Sequence, residues 1–105
     1  MPTATPRPPL AYQLAVIQQN GYVASNAPLV QEYRHALDVL APKCRESRQN
    51  LADFAVATHN FLAKHGIQET ELSTLQHVAD SIPADAPVMI CRDVFAAYAT
   101  LRIGG

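Results

Sequence analysis

Long apolar runs are missing from this 105-residue chain. No stretch approaches the roughly 18 uninterrupted apolar residues of a membrane-spanning helix, so no span is expected. An excess of either charge is missing too. Eight basic against nine acidic side chains leave a formal charge of −1, which gives no electrostatic footprint for gripping a phosphate backbone, and nucleic-acid binding is not expected. Tryptophan is absent and aromatics make up only 7% of the residues. The core must therefore come from Leu, Val, Ile and Ala, and abundant alanine favours closely packed helices. Only two cysteines occur, so no paired Cys-x-x-Cys metal element is possible and a disulfide, if one forms, has a unique pairing. An alternating apolar-polar strand pattern is also lacking.

What is there reads as one all-α domain of four or five helices over residues 10–105, behind a proline-rich leader, Met1 to Pro9. Four prolines in that leader remove backbone donors and suit an extended tether. Leu10, Leu14 and Ile17 sit at helical spacing and predict a first helix to about residue 20, closed by a left-handed Gly21. Ser25 or Asn26 as cap and Pro28 in the first turn predict a second, with Leu29, Val30, Tyr33, Leu37 and Leu40 on its apolar face. The third and longest is expected from Pro42 to Gly66, with Cys44, Leu51, Phe54, Ala55, Phe61 and Leu62 on its buried stripe. A fourth carries Leu72, Leu75, Val78, Ala79 and Ile82 up to Pro83. Asp85 is the expected cap of a fifth, whose buried side is Val88, Cys91, Val94, Phe95, Tyr98 and Leu101, as far as about Arg102.

Cys44 and Cys91 then fall in the first turns of two helices that should run in the same direction, each on an apolar face. A Cys44–Cys91 disulfide is expected, closing a loop worth at most about 4 kcal/mol in the chain-entropy picture. Two unrelated buried thiols are the competing reading. A bridge places the protein in an oxidising compartment.

Other constellations are weaker. His35, His59, His65 and His77 lack metal-ligand spacing, and no metal or cofactor is expected; His65 suits the C-terminal dipole of its helix. A cysteine-histidine hydrolase needs an accessible thiolate, which an apolar stripe disfavours. Glu69 and Glu71 are accounted for by the dipole of the fourth helix, and no paired carboxylates suggest acid-base work, so no catalytic residue is assigned. Arg34, Lys43, Arg45 and Arg48 form a candidate anion patch against the alternative of a solvated, mixed-charge face. The closing Leu101-Arg-Ile-Gly-Gly105 resembles the di-glycine tail of ubiquitin-like modifiers, but those have a β-grasp fold that the helical pattern contradicts.

Leu40-Ala-Pro-Lys-Cys44, Leu51-Ala-Asp-Phe-Ala55, Ser81-Ile-Pro83 and Cys91-Arg-Asp-Val-Phe-Ala-Ala-Tyr-Ala-Thr-Leu101, in that order, resemble small exported or lipid-anchored helical proteins of actinobacteria. The resemblance spans the last two thirds of the chain and implies export, a two-cysteine framework and no assigned activity. The leader lacks the apolar segment of a signal peptide and a lipid-bearing cysteine, so the expectation divides between a cut signal and a cytosolic protein. The first alternative is a non-enzymatic binding or interaction module of the cell envelope, its partner an unidentified protein or small ligand, on a tether lost from the N-terminus. The second is a cytosolic partner-binding regulator or inhibitor with free cysteines.

Overall fold

Each helix begins and ends where local chemistry satisfies its terminal backbone groups. The computed structural model describes residues 8–104, which include α1 (Leu10–Gln19), α2 (Pro28–Leu40), α3 (Arg48–Lys64), α4 (Glu71–Ser81) and α5 (Cys91–Gly104), with a 3₁₀ turn at Ala41–Lys43. Ser47 caps α3 by accepting from the Asn50 N–H at 3.2 Å, and Thr70 caps α4 by accepting from Ser73 at 3.0 Å. Gly66, at φ 78°, closes α3 in a Schellman motif: its N–H reaches the Ala63 carbonyl and that of Ile67 the Leu62 carbonyl. Most of the leader, and Gly105, lie outside the described residues. Pro9 is the N-cap of α1 and its carbonyl accepts from Gln13.

The periodic stripes meet in one core of Leu14, Val30, Tyr33, Leu40, Leu51, Leu75, Val78, Cys91 and Phe95, with alanines 11, 15, 36, 52, 55 and 79 where helices approach closely. α2 packs against α1 and α4, and α3 against α4 and α5. Among the described residues no strand forms; a single parallel bridge joins Cys44 to Met89. The Cys44–Cys91 disulfide is present, with Cα atoms 5.4 Å apart across a sequence separation of 47.

Five expectations need correction. Asp85 does not cap the fifth helix, which starts six residues later at Cys91. The left-handed residue ending α1 is Asn20, at φ 56°, rather than Gly21; asparagine tolerates that conformation best after glycine. α2 starts on Ala27 without a side-chain cap, because Pro28 already removes one of the orphan donors. α3 does not begin at Pro42: the chain leaves helical geometry at Cys44 (φ −122°, ψ 147°) and re-enters after Ser47. Cys44 thus sits on an extended segment ahead of α3, and only Cys91 starts a helix. Finally, the stripes of α3 and α5 are broader than the core that receives them. Phe61 is 43% exposed, Leu101 73%, and Val88 53% and outside α5 altogether.

The oxidised protein is expected to have an intact mass about two daltons below its reduced form, with neither cysteine alkylated unless reductant is added; two labelled sulfurs in untreated protein contradict the bridge. Leu51→Ala, at a fully enclosed site, is expected to cost about 2 to 5 kcal/mol in denaturant unfolding. Phe61→Ala is expected to cost below about 1 kcal/mol.

Candidate functional site

Three features stand out beyond the core, and the first is an apolar groove between α3 and α5. Its volume is about 350 Å³, its walls are Phe54 and Phe61 from α3 and Phe95, Ala96 and Ala99 from α5, and Arg92 is its one charged lining residue. Helical spacing puts these side chains there: positions 54 and 61 lie two turns apart on one face, as do 92, 96 and 99 on the other helix. Phe54 and Phe95 meet at the floor with ring centroids 5.6 Å apart. The Arg92 guanidinium is left largely free, its nearest carboxylate being that of Asp93 at 3.8 Å on the exposed surface.

The second feature is a junction made by four consecutive residues. Lys43 donates from Nζ to the Ala79 and Ile82 carbonyls, both at 2.9 Å, and so places a cation on the C-terminal end of α4. Cys44 carries the disulfide. The Arg45 N–H donates to the Met89 carbonyl, and the Met89 N–H to that of Lys43, both at 2.9 Å. Glu46 accepts the Cys91 and Arg92 N–H groups at 2.9 and 2.8 Å, one on each carboxylate oxygen, and so caps α5 from 45 residues away. Burial alone raises the Glu46 carboxyl, but the two N–H groups and the Arg92 charge outweigh it and hold it below the usual carboxylate range.

The third feature is a buried polar cluster around Glu69. Its carboxylate accepts the Thr74 hydroxyl at 3.1 Å, the Arg102 Nε at 2.9 Å and, through a very short bond, the Tyr98 hydroxyl. His77 Nδ1 reaches the Tyr98 oxygen at 2.8 Å, and His59 Nδ1 donates to the Glu69 carbonyl at 2.6 Å. Burial raises the Glu69 carboxyl, yet the hydrogen bonds from Tyr98, Thr74 and Arg102 and the Arg102 charge more than reverse this, so it stays ionised. Burial and Glu69 together push the Tyr98 hydroxyl up to about 12. Glu71, also buried, lies 3.7 Å from His59, and its charge adds to burial in raising Tyr33. The cluster holds a stable carboxylate and a neutral phenol but no group poised as a nucleophile, so its chemistry is that of a clasp between the start of α4 and the end of α5.

The side chains of three of the four candidate anion-binding residues have separate partners. Arg34 donates to Gln31, Lys43 serves α4, and Arg48 pairs with Asp38 at 2.7 Å. Arg45 lines a surface cleft with Glu46, Asn50 and Arg92. Glu69 and Glu71 are more than dipole partners of α4, since both are buried. Tyr98 and Arg102, four apart on the last helix, were the available signal for an acidic partner.

Tyr98→Phe is expected to cost about 1 to 3 kcal/mol, as a hydrogen bond to a charged group is lost. A depressed folded-state carboxyl stabilises above its unfolded value and ceases to do so as pH falls through the folded one. Glu69→Gln is therefore expected to lower the melting temperature at neutral pH, with the gap to wild type closing below about pH 4; a gap that stays constant contradicts the charged clasp. For the phenol the sign is opposite: its contribution is complete below its unfolded value near 10 and fades as pH rises towards about 12. The difference between wild-type and Tyr98→Phe phenolate titrations is expected to have its midpoint there. The chain matches none of the protein-family models, curated proteins or solved structures with which it was compared.

Proposed function

We propose that this chain is a non-enzymatic binding module of the cell envelope whose α3–α5 groove receives the apolar part of its partner. The observation that carries the reading is the groove itself: three phenylalanine rings, two of them buried or half-buried and Phe61 standing exposed at the rim, beside one weakly paired cation. Apolar concavities with a single polar group fixing orientation are the usual form of small-ligand and peptide sites. The disulfide supports an oxidising compartment, and the resemblance to small exported helical proteins points the same way.

An apolar anionic dye, 1-anilinonaphthalene-8-sulfonate, is a direct probe of such a surface. One equivalent is expected to bind the folded, oxidised protein with enhanced fluorescence. Phe61→Glu and Arg92→Glu are each expected to weaken it by at least about tenfold, roughly 1.4 kcal/mol. Both are expected to leave the melting temperature within a few degrees of wild type, because neither side chain is in the core. Dye binding that is indifferent to both substitutions counts against the groove as the site.

A further inference from the structure

A second site lies in the junction, next to the Arg92 end of the groove. The Cys44 and Cys91 sulfurs and a Glu46 carboxylate oxygen all lie within 4.8 Å of one another. We propose that, when the disulfide is reduced, Cys44, Cys91 and Glu46 bind a zinc ion, so that a metal replaces the covalent staple between the segment preceding α3 and the start of α5.

Tetrahedral zinc, with bonds of about 2.3 Å to sulfur and about 2.0 Å to oxygen, sets its ligand atoms roughly 3.5 to 3.8 Å apart. The three atoms lie within 4.8 Å of one another, and breaking the sulfur–sulfur bond lets the two sulfurs separate to that spacing. The 5.4 Å between the two Cα atoms is spanned as readily by two thiolates on one ion as by a bond. Two parallel backbone hydrogen bonds, between Arg45 and Met89 and between Met89 and Lys43, hold the segments together without the disulfide. Glu46 is positioned from both sides, since each of its oxygens accepts one N–H of α5 and keeps a lone pair for a metal.

Charge favours the loaded state. Two thiolates, a carboxylate and Zn²⁺ sum to −1, and that excess faces the positive end of α5 and the Arg45 and Arg92 side chains, which line the cleft against Glu46. Of the three ligands only Glu46 lines this cleft, and a water entering beside its carboxylate completes the tetrahedron. A dithiol reductant gives up two electrons and two protons and closes its own disulfide, while Cys44 and Cys91 become thiols. Zn²⁺ then binds and the two thiol protons pass to water.

The test uses the 105-residue chain, reduced anaerobically with a phosphine that is then removed. One equivalent of Co²⁺ is expected to produce sulfur-to-cobalt charge-transfer bands and tetrahedral d–d absorption, both abolished by added Zn²⁺, and zinc is expected to raise the melting temperature of the reduced chain. The oxidised chain is expected to give neither response. X-ray absorption of the zinc form is expected to show two sulfur and two oxygen or nitrogen neighbours. Glu46→Gln, which keeps both thiols, is expected to weaken zinc binding at least about tenfold. Cobalt spectra without charge-transfer bands, a four-sulfur shell shared between two chains, or Glu46→Gln binding as tightly as wild type each overturn the proposal. The absorption measurement on the unaltered chain decides the matter even where that variant does not fold.

Discussion

Lys43 to Glu46 is the constraint on which the far side of the bundle depends. α5 buries only Cys91, Phe95 and Ala99, too few apolar side chains to hold a 14-residue helix by packing alone at about 1.5 to 3 kcal/mol for each large one. The missing stabilisation is supplied at its ends. At the start, the disulfide and the Glu46 cap act one residue apart; near the finish, Tyr98 and Arg102 reach Glu69. The same short segment also fixes α4, through Lys43 on its last carbonyls. Opposite charges flanking one cysteine, Lys43 one residue before it and Glu46 two after, thus meet opposite helix poles, the arrangement that macrodipoles favour.

Helical periodicity made the architecture legible. Leu51, Ala55, Thr58 and Leu62, or Leu72, Leu75 and Ala79, repeat at three and four residues because burial imposes that period locally, and no distant partner is needed to see it. The pairing of Cys44 with Cys91 was legible for a different reason, the absence of any third cysteine. The geometry that achieves it was not. An uninterrupted helix from Pro42 was expected because Cys44, Ser47 and Leu51 keep the period, yet the chain is extended at Cys44. Backbone pairing with Met89 and the Ser47 cap outweigh a pattern that apolar spacing alone cannot distinguish from a continuous helix.

The polar contacts were hidden for the same reason throughout: their partners lie far apart in sequence. Glu46 and Cys91, Lys43 and Ile82, Glu69 and Arg102 are separated by 45, 39 and 33 residues. Each of the two acidic residues stands where a solvated explanation suffices, Glu46 among basic residues and Glu69 just ahead of a helix. For Glu69 burial separates a clasp from a surface charge, and for Glu46 the two N–H groups of α5 do so; both are decided by tertiary neighbours.

The groove follows from a mismatch between pattern and packing. Apolar positions on α3 and α5 cover a wider arc than two contacting helices can enclose, so Phe61 is left at the rim although it lies on the same helix face as Phe54, seven residues earlier and only half-buried. A sequence stripe marks which faces are apolar and says nothing about how much of each is covered. The uncovered part opens beside Arg92, the residue next to Cys91, whose N–H is held by Glu46. The cationic end of the groove is therefore set by the junction. One wall is a helix whose start is fixed by a disulfide and a carboxylate, and the other, α3, follows directly from the segment that provides both. The separation of the walls at that end is governed by the chemistry of residues 43–46 and 91, while the phenylalanines determine only what the opening can hold.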